Sequence, residues 1–406
     1  MNENDRSIVG VAMLAHAMVH TYELSIPILV TVWLDVFQVT EATIGLVVSA
    51  GYALFGLGAL PGGVLADTYG SRPLIIACLV GMGGSFLFLS LAPSVWLIAV
   101  ALLVWGIAAS VYHPSGLSLI SKGVTQRGTA FAYHGMAGNL GIALGPLLTA
   151  LLLLAFDWRT VTGLLAIPAG IAVLLAITVD FDENATVGAT DGGTDVGSKA
   201  DTVSSVSELL SESRRLFTAG FAIVFAIVML SGLYYRGVLT FLPDLLGDFS
   251  VFEPVSVGGR TLEPSRYLYA GLLVVGIAGQ YAGGKLTDRM ATERGLAISF
   301  GGLAVIALAF VPAASADLLA LLAISAVLGF ALFLVQPFYQ ATVAEYTPAG
   351  LRGLSYGYTY LGVFGVGALG AAMAGFILTY ASSAGLFLVL AGLASLASLL
   401  GLWLLR

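Results

Sequence analysis

The strongest constraint on what this chain can fold into is its succession of apolar runs. Many exceed the ~18 consecutive apolar residues that mark a membrane span. Read one by one, they predict twelve helices, at roughly 8–33, 42–66, 73–92, 95–121, 128–154, 158–180, 216–246, 266–288, 295–313, 316–344, 352–379 and 382–405. Only 10% of the residues are charged and 58% are hydrophobic, whereas about a quarter of a soluble domain is charged. The expected fold class is an all-α membrane protein. The first run is too long for a cleavable leader and is followed by more spans, so it reads as a retained helix.

Most connections are short. The exception is 181–215, rich in Asp, Gly, Ser and Thr, which reads as a flexible linker between an N-terminal half (1–180) and a C-terminal half (216–406), six helices each. Its Asn184-Ala185-Thr186 is a sequon by pattern alone. With the N-terminus inside, twelve basic residues fall in inside segments and three (Arg159, Arg260, Arg266) outside. The remaining one, Arg236, lies within span seven. That bias predicts cytoplasmic termini, a cytoplasmic linker and residence in the cytoplasmic membrane. Lys+Arg total 16 against Asp+Glu 23, without a basic stripe, so no nucleic-acid partner is expected. The acidic excess sits mostly in loops and would suit a high-salt cytoplasm. The lone Cys78 permits no internal disulfide and no cysteine metal cluster.

The two halves echo each other. Gly-Gly-x-Leu-x-Asp occurs at 62–67 and again at 283–288. "RGTAFAYHGMAGNLGIALG" (127–145) parallels "RGLSYGYTYLGVFGVGALG" (352–370). A parallel repeat of six-helix halves builds transporters with a midplane site between the halves.

"GGVLADTYGSR" (62–72) resembles the loop signature of the major facilitator superfamily, through Gly63, Leu65, Asp67, Gly70 and Arg72. "GGKLTDR", with Asp288 and Arg289, resembles its degenerate second copy. "SVYHPSGLSLIS" (110–121) and "HGMAGNLGIALGP" (134–146) resemble the fosmidomycin-resistance type of permease, which implies proton-linked drug efflux. Gly138, Gly141, Gly145 and Pro146 are similar to the glycine-proline motif of antiporter-type members, although Leu147 and Leu148 replace the glycine pair that often follows. Relatives of that type carry an Asn-Asp pair near Val19-His20, so the proton-coupling group here differs. The resemblance implies a twelve-helix transporter whose loop motifs act as gates. Asp67 and Arg72 would hold the halves together on the cytoplasmic side when the outside is open, with Glu345 and Arg352 in a similar role.

The residues that carry chemistry start with "HAMVHTYEL" (16–24) in span one. At 100° per residue, His16, His20 and Glu23 fall within about 60° of arc. An ionisable group at membrane depth is costly unless it meets a cavity or a partner. Histidine titrates near neutrality beside a carboxylate, so the trio is expected to take up and release a proton. Pro27, one turn further on the same face, is expected to kink the helix. The resemblance implies that spans one, four, seven and ten line the central cavity. That places His113 (span four), Arg236 (span seven), and Gln336, Tyr339 and Gln340 (span ten) there, with His134 in span five at the cavity or its periphery. Gln280 and Asn139 read as helix contacts. Arg236 has two readings: it binds an anionic group of the substrate, or it pairs across the halves with Glu23 and closes the outer gate.

The expected function is secondary active transport of a small organic solute, coupled to protons, with export preferred to uptake by symport or uniport. A non-transporting sensor would not need titratable cavity groups. An enzyme would need a nucleophile or metal constellation, and the sequence displays none: Ser and His in "HPSG" are adjacent and do not face each other on a helix. No Walker-type loop is present, so ATP does not drive it. No cofactor or metal is expected. The partners are the solute (anionic if Arg236 binds it), protons and the lipid bilayer, and the chain is taken to work as a monomer.

Overall fold

A computed structural model describes residues 1–187, 206–257 and 260–406. The first half contains α1 (Glu3–Phe37), α2 (Glu41–Leu57), α3 (Ala59–Tyr69), α4 (Ser71–Leu89), α5 (Val95–Ser110), α6 (Tyr112–Gly123), α7 (Arg127–Leu153) and α8 (Trp158–Thr178). Then come α9 (Val206–Leu216), α10 (Ala219–Leu239), α11 (Leu242–Gly247) and a small hairpin, β1 (Val255–Val257) with β2 (Arg260–Leu262). The chain continues with α12 (Pro264–Thr287), α13 (Thr292–Ala314), α14 (Leu318–Glu345), α15 (Arg352–Tyr360), α16 (Leu369–Tyr380) and α17 (Ser383–Leu404).

Among the described residues, ten helices or continuous helix pairs are long and apolar enough to cross a membrane, and the bent pair α2–α3 makes an eleventh. The twelfth expected span corresponds to α12, which has 24 residues. At about 1.5 Å per residue that length suffices, but Arg266, Gln280 and Lys285 make it more polar than the others. Large apolar side chains cover the outer flanks: Trp96, Ile107, Met136, Leu174, Val305 and Phe376 are all exposed. That is the surface of a multi-pass integral membrane protein.

The repeat is visible in the packing. α2 packs on α5 as α12 packs on α14, α4 on α8 as α13 on α17, and α1 on α7 as α10 on α16. The halves meet along two symmetric seams, α2 with α16 and α7 with α12. At Gly56 a Cβ would lie 1.9 Å from the Gly365 nitrogen, so only glycine lets these backbones approach so closely.

Several predicted spans are interrupted, each for a local reason. Span two bends by 45° at Gly58, just before Pro61. Span four breaks at Val111, because Pro114 has no N–H to give the Ser110 carbonyl. Span seven ends at Leu239 rather than 246, since Pro243 cannot donate to Leu239. Span eleven widens over 361–366 into a π-turn. By contrast α1 runs unbroken through Pro27.

The linker reading needs correction at both ends. Glu183 accepts from the backbone N–H groups of Ser71 (2.7 Å) and Arg72 (3.2 Å), so a carboxylate seats the N-terminus of α4. Thr186 donates to the Lys122 carbonyl at 2.7 Å. At the other end 206–216 is helical, with Arg215 paired to Glu212 at 2.8 Å. Residues 188–205, with Asp191, Asp195, Lys199 and Asp201, lie outside the described residues.

Candidate functional site in the central cavity

Between the halves lies a cavity of about 690 Å³. It is lined by His16, His20, Glu23, His113 and His134 from one half, and by Gln336, Tyr339 and Gln340 from the other. All four histidines of the chain are therefore in one place. Gln280 and Asn139, read from the sequence as helix contacts, also line it, and Gln280 Oε1 is buried without a partner among the described residues.

The cavity opens toward the end of the bundle that carries the N-terminus. Ser121, Phe131, Arg352 and Tyr356 lie at that end, beside Asn4, whose side chain donates to the Gly123 carbonyl at 3.0 Å. At the opposite end the halves are tied together. Arg266 donates to Thr31 Oγ1 at 3.2 Å, and the Ala42 N–H donates to Thr379 Oγ1 at 2.8 Å.

The apex of the cavity is a hydrogen-bonded chain. Arg236 Nη2 donates to Glu23 Oε1 across the half boundary, and both residues are 1% exposed. Of the two contacts the sequence offered Arg236, the one with Glu23 is present. Arg236 does not line the cavity; it is sealed behind Glu23 with its Cζ 3.7 Å from the centre of the Tyr52 ring. Glu23 Oε2 lies 2.6 Å from His20 Nδ1. His20 Nε2 lies 3.1 Å from His16 Nε2, and His16 Nδ1 lies 2.7 Å from the His134 carbonyl.

The His134 carbonyl can only accept, so His16 Nδ1 carries a hydrogen. One hydrogen must lie between the two Nε2 atoms and one between His20 and Glu23. That makes three, whereas two neutral imidazoles and a carboxylate hold two. The chain is thus closed only with one extra proton. Removing it leaves two lone pairs facing each other, either at 2.6 Å or at 3.1 Å, and that contact must open.

Sequence reasoning missed the aromatic supports. Pro27 has no N–H for the Glu23 carbonyl, and Tyr52 Oη donates to that carbonyl at 3.1 Å. The proline spacing of four is the signal that could have found the vacancy, though not its occupant. Tyr112 Oη lies 3.1 Å from His134 Nε2, and the His134 ring stacks on His16 with centroids 3.9 Å apart. Gly138, Gly141 and Gly145 face α1: a Cβ at Gly138 would sit 2.5 Å from the His16 ring.

The loop-motif residues stand apart from the cavity. Asp67 pairs with Lys122 at 2.8 Å, inside its own half. Arg72 donates to the Ala176, Ile177 and Val179 carbonyls, closing the end of α8. Gly70 has φ +87°, a conformation that favours glycine. Gly63 lies within α3, Asp288 caps α12, and Arg289 follows it. Among the described residues none of these charges forms an ion pair across the halves. Glu345 accepts from Thr292 at 2.6 Å.

Comparison with known proteins places the fold. The gallate transporter of Pseudomonas putida is 26% identical over 388 residues, 89% of this chain and 83% of that protein. A Na(+), Li(+), K(+)/H(+) antiporter of Planococcus maritimus is 30% identical over 135 residues, and the match spans only 31% of its length. The crystal structure of a bacterial homologue of the human lysosomal transporter Spinster, inward-facing and unoccupied, superposes with a TM-score of 0.73 at 17% identity, covering 100% of this chain and 99% of that one. The family model described as Major Facilitator Superfamily matches residues 8–371. The chain belongs to the Major Facilitator Superfamily and is a multi-pass integral membrane protein.

Proposed function

We propose that this protein is a proton-coupled exporter of a small organic solute in the cytoplasmic membrane, of the fosmidomycin-resistance type. It crosses the membrane twelve times as two six-helix halves with both termini cytoplasmic, and it works as a monomer. The observation that carries the reading is the closed chain Arg236–Glu23–His20–His16 at the apex of a cavity open to one end. In this orientation the open end is the cytoplasmic one.

The residues act as follows. With its extra proton the chain is complete, Glu23 holds Arg236, and the outer side is shut. Solute enters from the cytoplasm and meets Gln336, Tyr339 and Gln340 on one wall and the histidines on the other. Loss of the proton opens a junction at His20 and lets that ring part from Glu23. The halves then part on the outer side. Asp67 and Arg72 leave Lys122 and the α8 carbonyls to meet the other half when the cytoplasmic side closes. A proton returning from outside re-forms the chain, and the solute leaves in exchange.

Uptake of an organic anion with a proton is the second reading, favoured by the likeness to the gallate transporter over 89% of this chain. Purified protein in liposomes under an imposed pH gradient separates the two, with phosphonates and hydroxybenzoates as solutes. Export predicts accumulation on the acidic side of the membrane, and uptake predicts accumulation on the alkaline side. Accumulation unchanged by a protonophore would overturn proton coupling altogether.

A further inference from the structure

The histidine cluster is built more fully than proton sharing needs. His16 and His20 on α1 and His113 on α6 each bring a ring nitrogen to within 4.8 Å of the others. The sequence displayed two of these as a His-x-x-x-His pair on one helix face, and the third, on another helix, was placed in the cavity only through the family resemblance.

Three features point to a ligand. The first is orientation. His16 is held through Nδ1 by a backbone carbonyl and His20 through Nδ1 by the Glu23 carboxylate, at 2.7 and 2.6 Å. These are the outer contacts that fix a metal-binding imidazole and leave Nε2 as its ligand atom. The second is spacing. The two Nε2 atoms are 3.1 Å apart. A tetrahedral ion with metal–nitrogen bonds of about 2.0–2.1 Å separates its ligand atoms by about 3.4 Å, so the rings need part only slightly. The third is His113. Its ring is edge-on to His16 with centroids 5.3 Å apart. It makes no side-chain hydrogen bond among the described residues, and Phe55, Tyr360 and Phe364 surround it.

We propose that His16, His20 and His113 bind one divalent transition-metal ion of the zinc class, each through a ring nitrogen, with a fourth position open to the cavity. The ion takes the place of the proton between the two Nε2 atoms. Three imidazoles select such an ion over magnesium, calcium or the alkali cations, which want oxygen ligands. The open position would be filled by water or by an oxygen of the solute. Metal binding does not rest on the direction of transport or on proton coupling, and it is measured without either.

The test uses tag-free protein in detergent, stripped with a chelator and titrated with Zn²⁺ by calorimetry in excess Mg²⁺. The expected result is one ion per chain. His16→Ala and His113→Ala should each weaken binding by about tenfold or more, a loss at least as large as that of an outer contact. Co²⁺ on the unaltered protein provides a second readout that needs no variant, and it should give the intense visible bands of a four-coordinate nitrogen site. No saturable Zn²⁺ binding, full affinity in His113→Ala, or only the weak spectrum of six-coordinate Co²⁺ would each overturn the proposal.

Discussion

Glu23 and Arg236 lie on opposite halves of the protein, 213 positions apart, and join in an ion pair in which both residues are buried and only Glu23 lines the cavity. A buried guanidinium without its carboxylate is an uncompensated charge, which costs about 3–5 kcal/mol. Glu23→Gln should therefore melt well below the unaltered protein, and the double variant Glu23→Gln/Arg236→Met should recover most of the loss. Thermal unfolding in detergent reads this. Equal melting of Glu23→Gln and the unaltered protein would mean the pair carries no stability.

The Glu23 carbonyl depends on Tyr52 because Pro27 cannot serve it. Tyr52→Phe keeps the ring beneath Arg236 and removes only the hydroxyl, leaving a buried acceptor unmet at a cost of about 1–3 kcal/mol. Tyr52→Leu also removes the face on which the guanidinium rests, so it should be worse in both stability and transport. Chemical denaturation of the two variants side by side checks the order.

Gly138 and Gly135 lie on the same helix and make a controlled comparison. A Cβ at Gly138 would press on the His16 ring, whereas one at Gly135 meets nothing within 4 Å. Gly135→Ala should leave transport intact. Gly138→Ala should push His16 away from His20 and abolish proton-driven accumulation while the protein still folds. Liposome transport with a melting control separates these outcomes.

The site was partly legible in the sequence, and the reasons are physical. The span-one trio stood out because charge in an apolar run is costly and the spacings share a face. Arg236 stood out for the same cost, yet its partner could not be chosen between Glu23 and a solute. Tyr52, Tyr112 and Tyr360 were hidden because an aromatic in an apolar helix looks like packing whether or not its hydroxyl has a task. Glu183 was hidden in a polar run that reads as linker, although it seats α4. The broken spans followed from prolines at 61, 114 and 243 that a hydropathy window averages away.

Asp244, half-buried on α11 at the end opposite the termini, supplies a pH dependence of its own. Burial, then the charges of Asp248, Glu41 and Asp35, push its carboxyl up to about 7 against the pull of Arg266. Its pKa is raised on folding, so between about pH 4 and 7 the folded state holds a proton that the unfolded chain has lost. This group's contribution to stability is present at the acidic end of that window and is lost as pH rises through it. Melting temperatures from pH 5 to 8 should show that fall, and Asp244→Asn should flatten it. Parallel slopes in the two proteins would remove Asp244 from the account.

The most direct test of the central account uses liposomes with a pH-sensitive dye trapped inside and a solute gradient across the membrane. It compares the unaltered protein with Glu23→Gln and His20→Ala. Solute-driven proton movement is expected in the unaltered protein, opposite in direction to the solute, and is expected to be lost in both variants. Solute flux without proton movement, or proton movement that survives in both variants, would contradict it.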